Sequence, residues 1–207
     1  MRKYILQSAI LLLFSLVGCK EFKLSTDDLK WQPYEVDDIL VFESNIGEVD
    51  SIKITSIDSY LNPKDPLAVF PDEYETLFVN GKLLNPNKED KQWDHVNFLN
   101  LTSSEETWIT FNIKKISDSL RYAEAKYSVD QLNRFYNNKK VINNCINDII
   151  ELKPNYTGGL DYEFDLKTYL WSKKYGYVRY SFKKGYYREL KKFIRNGRNI
   201  LPKCSND

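Results

Sequence analysis

From Trp31 onward, apolar and polar residues trade places with a period of two, in short runs broken by Gly, Pro and Asn. Asp38 to Ser44 and Asp50 to Leu61, separated by Asn45 and Gly47, read as an antiparallel hairpin, with Ile52 and Ile54 facing away from Ser51, Lys53 and Thr55. Asn62 to Pro71 holds three prolines and is a loop. Leu77 to Leu84 carries the sharpest turn signal in the chain, because Asn80-Gly81 supplies the positive φ of a two-residue type I′ turn. Asn85 to Asp94 is a polar loop around Pro86. Trp108 to Lys114 places Ile109, Phe111 and Ile113 on one face, and Ser119 to Ser128 continues as a further strand. Ser128-Val-Asp-Gln131 has capping-box spacing, with Val129, Leu132 and Phe135 on one helical face, so one short helix begins there.

Strands resume at Val141 to Leu152, Tyr162 to Ser172, Tyr177 to Lys183 and Tyr186 to Leu190. Strict alternation in the second of these puts Phe164, Leu166, Thr168 and Leu170 on one face. Glu163, Asp165, Lys167, Tyr169 and Trp171 take the other. Val178, Tyr180 and Phe182 point inward from the third. The expected fold is mainly β (a β-rich α+β protein): a curved antiparallel sheet or half-barrel with one short helix.

The first nineteen residues follow a different rule. Arg2 and Lys3 precede an almost wholly apolar run from Ile5 to Val17. At about 1.5 Å per helical residue this run covers roughly 20 Å, short of the ~30 Å hydrocarbon core, so it reads as a secretory signal segment. Leu16-Val17-Gly18-Cys19 resembles the bacterial lipobox, which implies cleavage before Cys19 and acylation of its thiol. Lys20 after the cysteine resembles the outer-membrane sorting pattern. Two or three acyl chains on one residue hold a protein stably at a bilayer. The expected organisation is a lipoprotein signal peptide over 1–18, an acylated Cys19 with a polar tether over 19–30, and a single β-rich domain over 31–207. The expected location is the cell envelope, lipid-anchored at the outer membrane and facing either the periplasm or the surface.

Charge and cysteine content narrow the partners. The whole chain carries a formal net charge of +1, without polyelectrolyte character, so no nucleic-acid partner is expected. Acids dominate from Glu21 to Glu75, whereas beyond Lys167 Glu189 and Asp207 are the only acids among many lysines and arginines. That asymmetry fits a basic face for an anionic partner or, more simply, acidic early strands lying beside basic late strands in one sheet. Beyond Cys19 the chain has Cys145 and Cys204. In an oxidising compartment they are the candidates for a bridge tying the C-terminal tail to the Cys145 strand, and two unpaired thiols fit the sequence as well.

The last third carries a resemblance. Leu170-Trp-Ser-Lys-Lys-Tyr-Gly-Tyr-Val-Arg-Tyr180, followed by Lys184-Gly-Tyr-Tyr-Arg-Glu-Leu190 and preceded by Asn144-Cys-Ile-Asn-Asp-Ile149, resembles the C-terminal pattern of uncharacterised Bacteroidota lipoproteins. The resemblance covers about the last sixty residues and implies a hairpin turning at Gly176, with its lysines keeping the tip wet, but no activity. A looser similarity, to the half-barrel of envelope lipoprotein carriers, rests on strand number and compartment.

Catalytic chemistry is sparse. His95 is the only histidine, beside Trp93 and Asp94 in a polar loop, and no nucleophile elbow, phosphate loop, metalloprotease helix or Cys-x-x-Cys occurs. No metal and no cofactor is expected. Asp37-Asp38, Asp72 to Glu75 and Glu105-Glu106 are candidate carboxylate pairs for glycosidic chemistry, each explained more simply by solvation. Tyr169 and Trp171, if exposed on their strand face, are candidates for stacking on a sugar ring. The expected function is a non-enzymatic binding or scaffold module anchored to the membrane through Cys19, with an envelope protein, a glycan or an apolar ligand as partner. An apolar cargo would need a hollow lined by Phe164, Leu166, Leu170, Val178 and Phe182.

Overall fold

The computed structural model describes residues 19–68, 71–84, 95–113, 122–138, 145–158 and 166–203. In chain order these form β1 (Glu21–Phe22), α1 (Thr26–Leu29), β2 (Ile39–Ser44), β3 (Val49–Pro63), β4 (Glu73–Leu83), β5 (His95–Thr102), β6 (Trp108–Ile113) and β7 (Tyr122–Ser128). They continue with α2 (Val129–Asn137), β8 (Ile149–Leu152), β9 (Tyr156–Gly158), β10 (Leu166–Ser172), β11 (Gly176–Phe182), β12 (Tyr187–Arg195) and β13 (Arg198–Asn199). All thirteen strands belong to one sheet, ordered β8-β10-β11-β12-β2-β3-β4-β5-β6-β7-β9, with β1 beside β4 and β13 beside β12. Apart from the parallel β1–β4 pair, its ladders are antiparallel. The mainly β, antiparallel fold is therefore as the alternation predicts.

The sheet is nearly closed into a barrel, and the chain itself bridges the seam. The two ends of the strand path, β8 and β9, are consecutive in sequence, so residues 153–155 must cross from one edge to the other. Side chains fix that crossing. The Tyr127 hydroxyl donates to the Lys153 carbonyl at 2.7 Å and accepts from its N–H at 3.1 Å. The Asn155 amide donates to the Lys126 carbonyl at 2.9 Å and accepts from its N–H at 3.0 Å, pairing with β7 as a peptide unit would. Strand polarity gives the barrel two rims. One carries α1, α2, the 173–175 turn and the 64–72 connection; the opposite rim carries the turns after β2 and β11.

Alternation alone would not curl this sheet, and five register shifts interrupt it. Each inserts one residue in a strand, which bends the strand and moves every later side chain to the other face. On β5 the extra residue is Phe98, so the adjacent Phe98 and Leu99 are both buried. On β12 it is Lys191, so Leu190 and Phe193, three apart, both enter the core. On β10 it is Lys167, which brings Tyr169 and Trp171 onto the same face as Leu166. Thr55 on β3 produces the shift opposite Asn80-Gly81.

That last shift corrects the reading of Asn80-Gly81 as a hairpin turn. β4 runs straight through both residues, and Gly81 lacks a positive φ. Here glycine serves close approach: a Cβ on Gly81 would stand 2.9 Å from the Ile52 side chain. The Asn80 amide donates to Ser56 Oγ at 3.1 Å, stabilising the irregularity. A second correction concerns 19–30, expected as a tether. Residues 20–30 are docked: β1 pairs with β4, the Leu24 N–H donates to a Glu75 carboxylate oxygen at 2.9 Å, and Ser25 and Asp28 form a capping box that starts α1. The described chain thus has two helices, not one. The Ser128–Gln131 box starts α2 as its spacing predicts. The strand expected from Val141 is shorter, with only Ile149–Leu152 in the sheet, and 141–144 lie outside the described residues.

The charge asymmetry resolves as adjacency. Basic β12 lies beside acidic β2, and Arg188 pairs with Glu48 at 2.7 Å and with Asp50. Arg195 grips Asp38 with two bonds of 2.9 and 2.6 Å, reaches Glu35 at 2.8 Å and donates to the Pro33 carbonyl at 2.8 Å. This fork holds the segment that carries Tyr34 into the core. The Tyr34 ring meets Phe98, Trp171 and Phe193 at centroid distances of 5.4, 6.1 and 6.1 Å. Its hydroxyl accepts the Tyr177 N–H at 3.0 Å. Gly176, with φ +73°, leaves the space for it, since a Cβ there would lie 1.8 Å from the Tyr34 oxygen. Gly176→Ala is therefore expected to cost at least ~3 kcal/mol, through positive φ and steric overlap together. Tyr34→Phe, which strands the Tyr177 N–H, is expected to cost about 1–3 kcal/mol. Urea unfolding of both variants measures these losses.

Candidate functional site

The rim that holds both helices also holds a cleft of about 570 Å³. Its walls come from four places: Lys30 after α1, Tyr136 on α2, Cys145 to Asp148 before β8, and Lys173 to Tyr175 between β10 and β11, with Pro202 closing one side. The volume is in the range of small-molecule sites.

The turn is built from Ser172 outward. Its buried hydroxyl accepts the N–H groups of Lys174 and Tyr175 at 3.1 and 3.0 Å and donates to the Asp148 carboxylate at 2.8 Å. Asp148 also accepts the Lys174 N–H at 3.1 Å. These bonds, with Gly176 at positive φ, give the Ser-Lys-Lys-Tyr-Gly segment its shape and set two lysines side by side on the cleft. Lys173 Nζ lies 3.9 Å from the centre of the Trp31 ring and 4.7 Å from that of Tyr136, and it donates to Asn133 Oδ1 at 3.2 Å. Such cation–π contacts hold an ammonium in place without neutralising it. Lys30 pairs with Asp27 at 2.6 Å. Among the described residues no carboxylate forms an ion pair with Lys173 or Lys174. Burial pushes the Lys173 ammonium below its ordinary pKa, and the Lys30 charge pushes the same way against Asp27 and Asp148. The cleft thus presents positive charge backed by aromatic walls.

The residues expected to bind sugars do not line this cleft. Tyr169 and Trp171 are each 0% exposed. The Lys167 bulge turns them into the barrel, where Trp171 packs against Phe111 and Tyr177 at 4.7 and 4.9 Å and Tyr169 against Tyr177 at 5.8 Å. Neither ring has a free face for stacking, so that assignment is corrected. The hollow expected for an apolar cargo meets the same rings. Leu166, Val178 and Phe182 are buried, while Phe164 lies outside the described residues.

His95 begins β5, opposite Lys82, rather than sitting in a loop; Trp93 and Asp94 lie outside the described residues. Of the candidate carboxylates, Asp38 is locked to Arg195, Asp37 pairs with Lys53 at 2.7 Å, Glu75 accepts from Leu24 and Ser59, and exposed Glu105 meets Lys64 at 3.7 Å. Among the described residues no group of three or more His, Cys, Asp or Glu is placed to hold a metal ion, and no helix is long and apolar enough to cross a membrane. Cys19 is a free, exposed thiol at the start of the described chain. Cys145, on the cleft wall, is disulfide-bonded, and Cys204 lies outside the described residues.

Sequence reasoning missed Lys30, Lys173 and Tyr136 as site residues. The available signal was the Lys173-Lys174 pair, read only as keeping a hairpin tip wet. For the cysteines, non-reducing peptide mapping is expected to find Cys145 joined to Cys204; a freely alkylated Cys145 would contradict this. No protein-family model, no curated protein and no solved structure matches the chain.

Proposed function

We propose that the protein is a lipoprotein of the bacterial cell envelope, anchored at the outer membrane through acylated Cys19. In this reading its barrel is a non-enzymatic binding module, and the rim cleft takes a small anionic ligand. The anchor is supported by the lipobox-like Leu16 to Cys19 segment, by the exposed Cys19 thiol and by the resemblance to Bacteroidota lipoproteins. The observation that carries the ligand class is Lys173, an ammonium seated on Trp31 and Tyr136 beside Lys174, with no described carboxylate paired to either. Lys30, Lys173 and Lys174 outnumber Asp148 on the cleft wall, so an incoming phosphate or carboxylate meets net positive charge, and a charge-assisted hydrogen bond in a partly desolvated cleft is stronger than one in water. Half-buried Tyr136 and buried Ile146 add apolar wall beside which an organic group attached to the anion would lie.

Calorimetric titration with phenyl phosphate and with inorganic phosphate tests this reading. Binding by the wild-type protein is expected, with the affinity for phenyl phosphate falling tenfold or more in Lys173→Gln, on the order of the cost of losing one charge-assisted bond. Affinity is also expected to fall as pH rises through the lowered Lys173 pKa, because only the ammonium form attracts the anion. Unchanged affinity in the variant, or no binding of either probe, would count against the reading. For the anchor, Cys19→Ala is expected to abolish metabolic labelling by a lipid probe; persistent labelling would refute acylation at that residue.

A further inference from the structure

Cys19 leaves the barrel at one particular place. β1 runs parallel to β4, with Glu21 opposite Glu73 and Phe22 opposite Tyr74. One residue before β1, the Lys20 N–H donates to the Asp72 carboxylate at 3.1 Å, and the Lys20 carbonyl accepts the Glu73 N–H at 2.9 Å. Across the same connection, the Lys64 N–H donates to the Asp72 carbonyl at 2.7 Å. Cys19 therefore emerges at the base of the 64–72 loop. The β3–β4 arm beneath that loop projects past the last β4–β5 pair, Thr76 with Thr102.

Apolar surface collects on this arm. Leu67 is 93% exposed, more than any other large apolar side chain described, and Tyr60 and Leu61 are 55% and 48% exposed on the outer part of β3. Asp65 organises the tip: its carboxylate accepts the Leu67 N–H at 2.9 Å and its carbonyl the Ala68 N–H at 3.1 Å. At the base, Phe22 and Tyr74 wall a cleft of about 390 Å³ with Lys64 and Glu105 at its edge. An exposed leucine held out by a fixed turn is unfavourable in water and favourable in lipid. With the chain hydrogen-bonded to the sheet from Lys20 onward, an acylated Cys19 leaves no slack to lift the arm away from the bilayer.

We propose that the β3–β4 arm is a second membrane contact, in which Leu67 enters the lipid interface beside the acyl chains of Cys19 and Tyr60 lies at headgroup level. This rests on the reading of Cys19 as the acylated anchor. Aromatic rings with a polar end favour the headgroup region, and the cationic charge at the base of the arm comes from Lys20, 4.5 Å over the Phe22 ring, and Lys64, 3.7 Å from Glu105. Asp65 and Asp72 share the arm, each carboxylate occupied by a backbone N–H.

The test uses the full acylated protein reconstituted in phosphatidylethanolamine–phosphatidylglycerol vesicles. An environment-sensitive fluorophore is attached through Leu67→Cys or, as a control at the opposite end of β3, through Ile46→Cys. Mass spectrometry of the Cys19 peptide reports acylation independently. The expected result is a blue-shifted emission and loss of iodide quenching at position 67 on reconstitution, with position 46 unchanged. Acylated Cys19 with a fully quenchable label at 67 would overturn the second contact and leave the anchor standing. A shielded label at 67 with unmodified Cys19 would sustain the contact and overturn the anchor. An unmodified Cys19 with a quenchable label would overturn both.

Discussion

The contact between the Tyr34 hydroxyl and the Gly176–Tyr177 peptide is the constraint on which the rest of the barrel depends. It joins residues 143 apart in the chain, and it works only because position 176 has no side chain. Around it the rings lock together. Tyr34 touches Phe98, Trp171 and Phe193, while Tyr177 touches Phe98 and Trp171 and donates to the carbonyls of Phe98 and Asn112 at 3.2 and 3.1 Å. Edge-to-face rings of this kind add to the energy of simple burial. Burial raises the Tyr34 phenol well above its ordinary pKa, so the hydroxyl stays neutral while the fold stands.

The same contact ties the core to the rim. Gly176 ends the turn that sets Lys173 and Lys174 on the cleft, and Ser172 begins it. Trp31, on which Lys173 sits, lies three residues before Tyr34. From the other side, Arg195 holds Pro33, Glu35 and Asp38 and so fixes the path of that segment. A half-buried fork of this kind, with Asp38 fully enclosed, does more for geometry than for net stability, because desolvation offsets much of its attraction. Cleft geometry and barrel closure are thus consequences of one arrangement.

Much of this was legible in the sequence where the cause is local. The Ser128–Gln131 box, the Ile109–Phe111 alternation and the need for glycine at 176 all show within a few residues. What did not show has a common physical origin in the bulges. An inserted residue such as Lys167 or Lys191 looks like any other in a period-two pattern, yet it reverses the faces beyond it. That is why Tyr169 and Trp171 seemed available and are core. Asn80-Gly81 misled for a related reason, since the residue pair that favours a hairpin turn also suits a bulge where two backbones crowd. At the cleft, the lysine pair was visible, but its aromatic seat is assembled from Trp31 just after α1, Tyr136 on α2 and the turn itself, which only the closed barrel brings together.

With the proposed anchor at Cys19, the docking of β1 on β4 fixes how far the molecule would reach from its membrane. A lipoprotein with a flexible leader samples a deep volume above its membrane, whereas one bonded to its own sheet a single residue past the anchoring position is confined to a layer one barrel deep. The cleft lies on the rim from which Cys19 emerges, so with the proposed anchor at Cys19 its mouth and the bilayer would share that confined layer. Such a protein would not search for its ligand; it would sample what passes along the lipid surface.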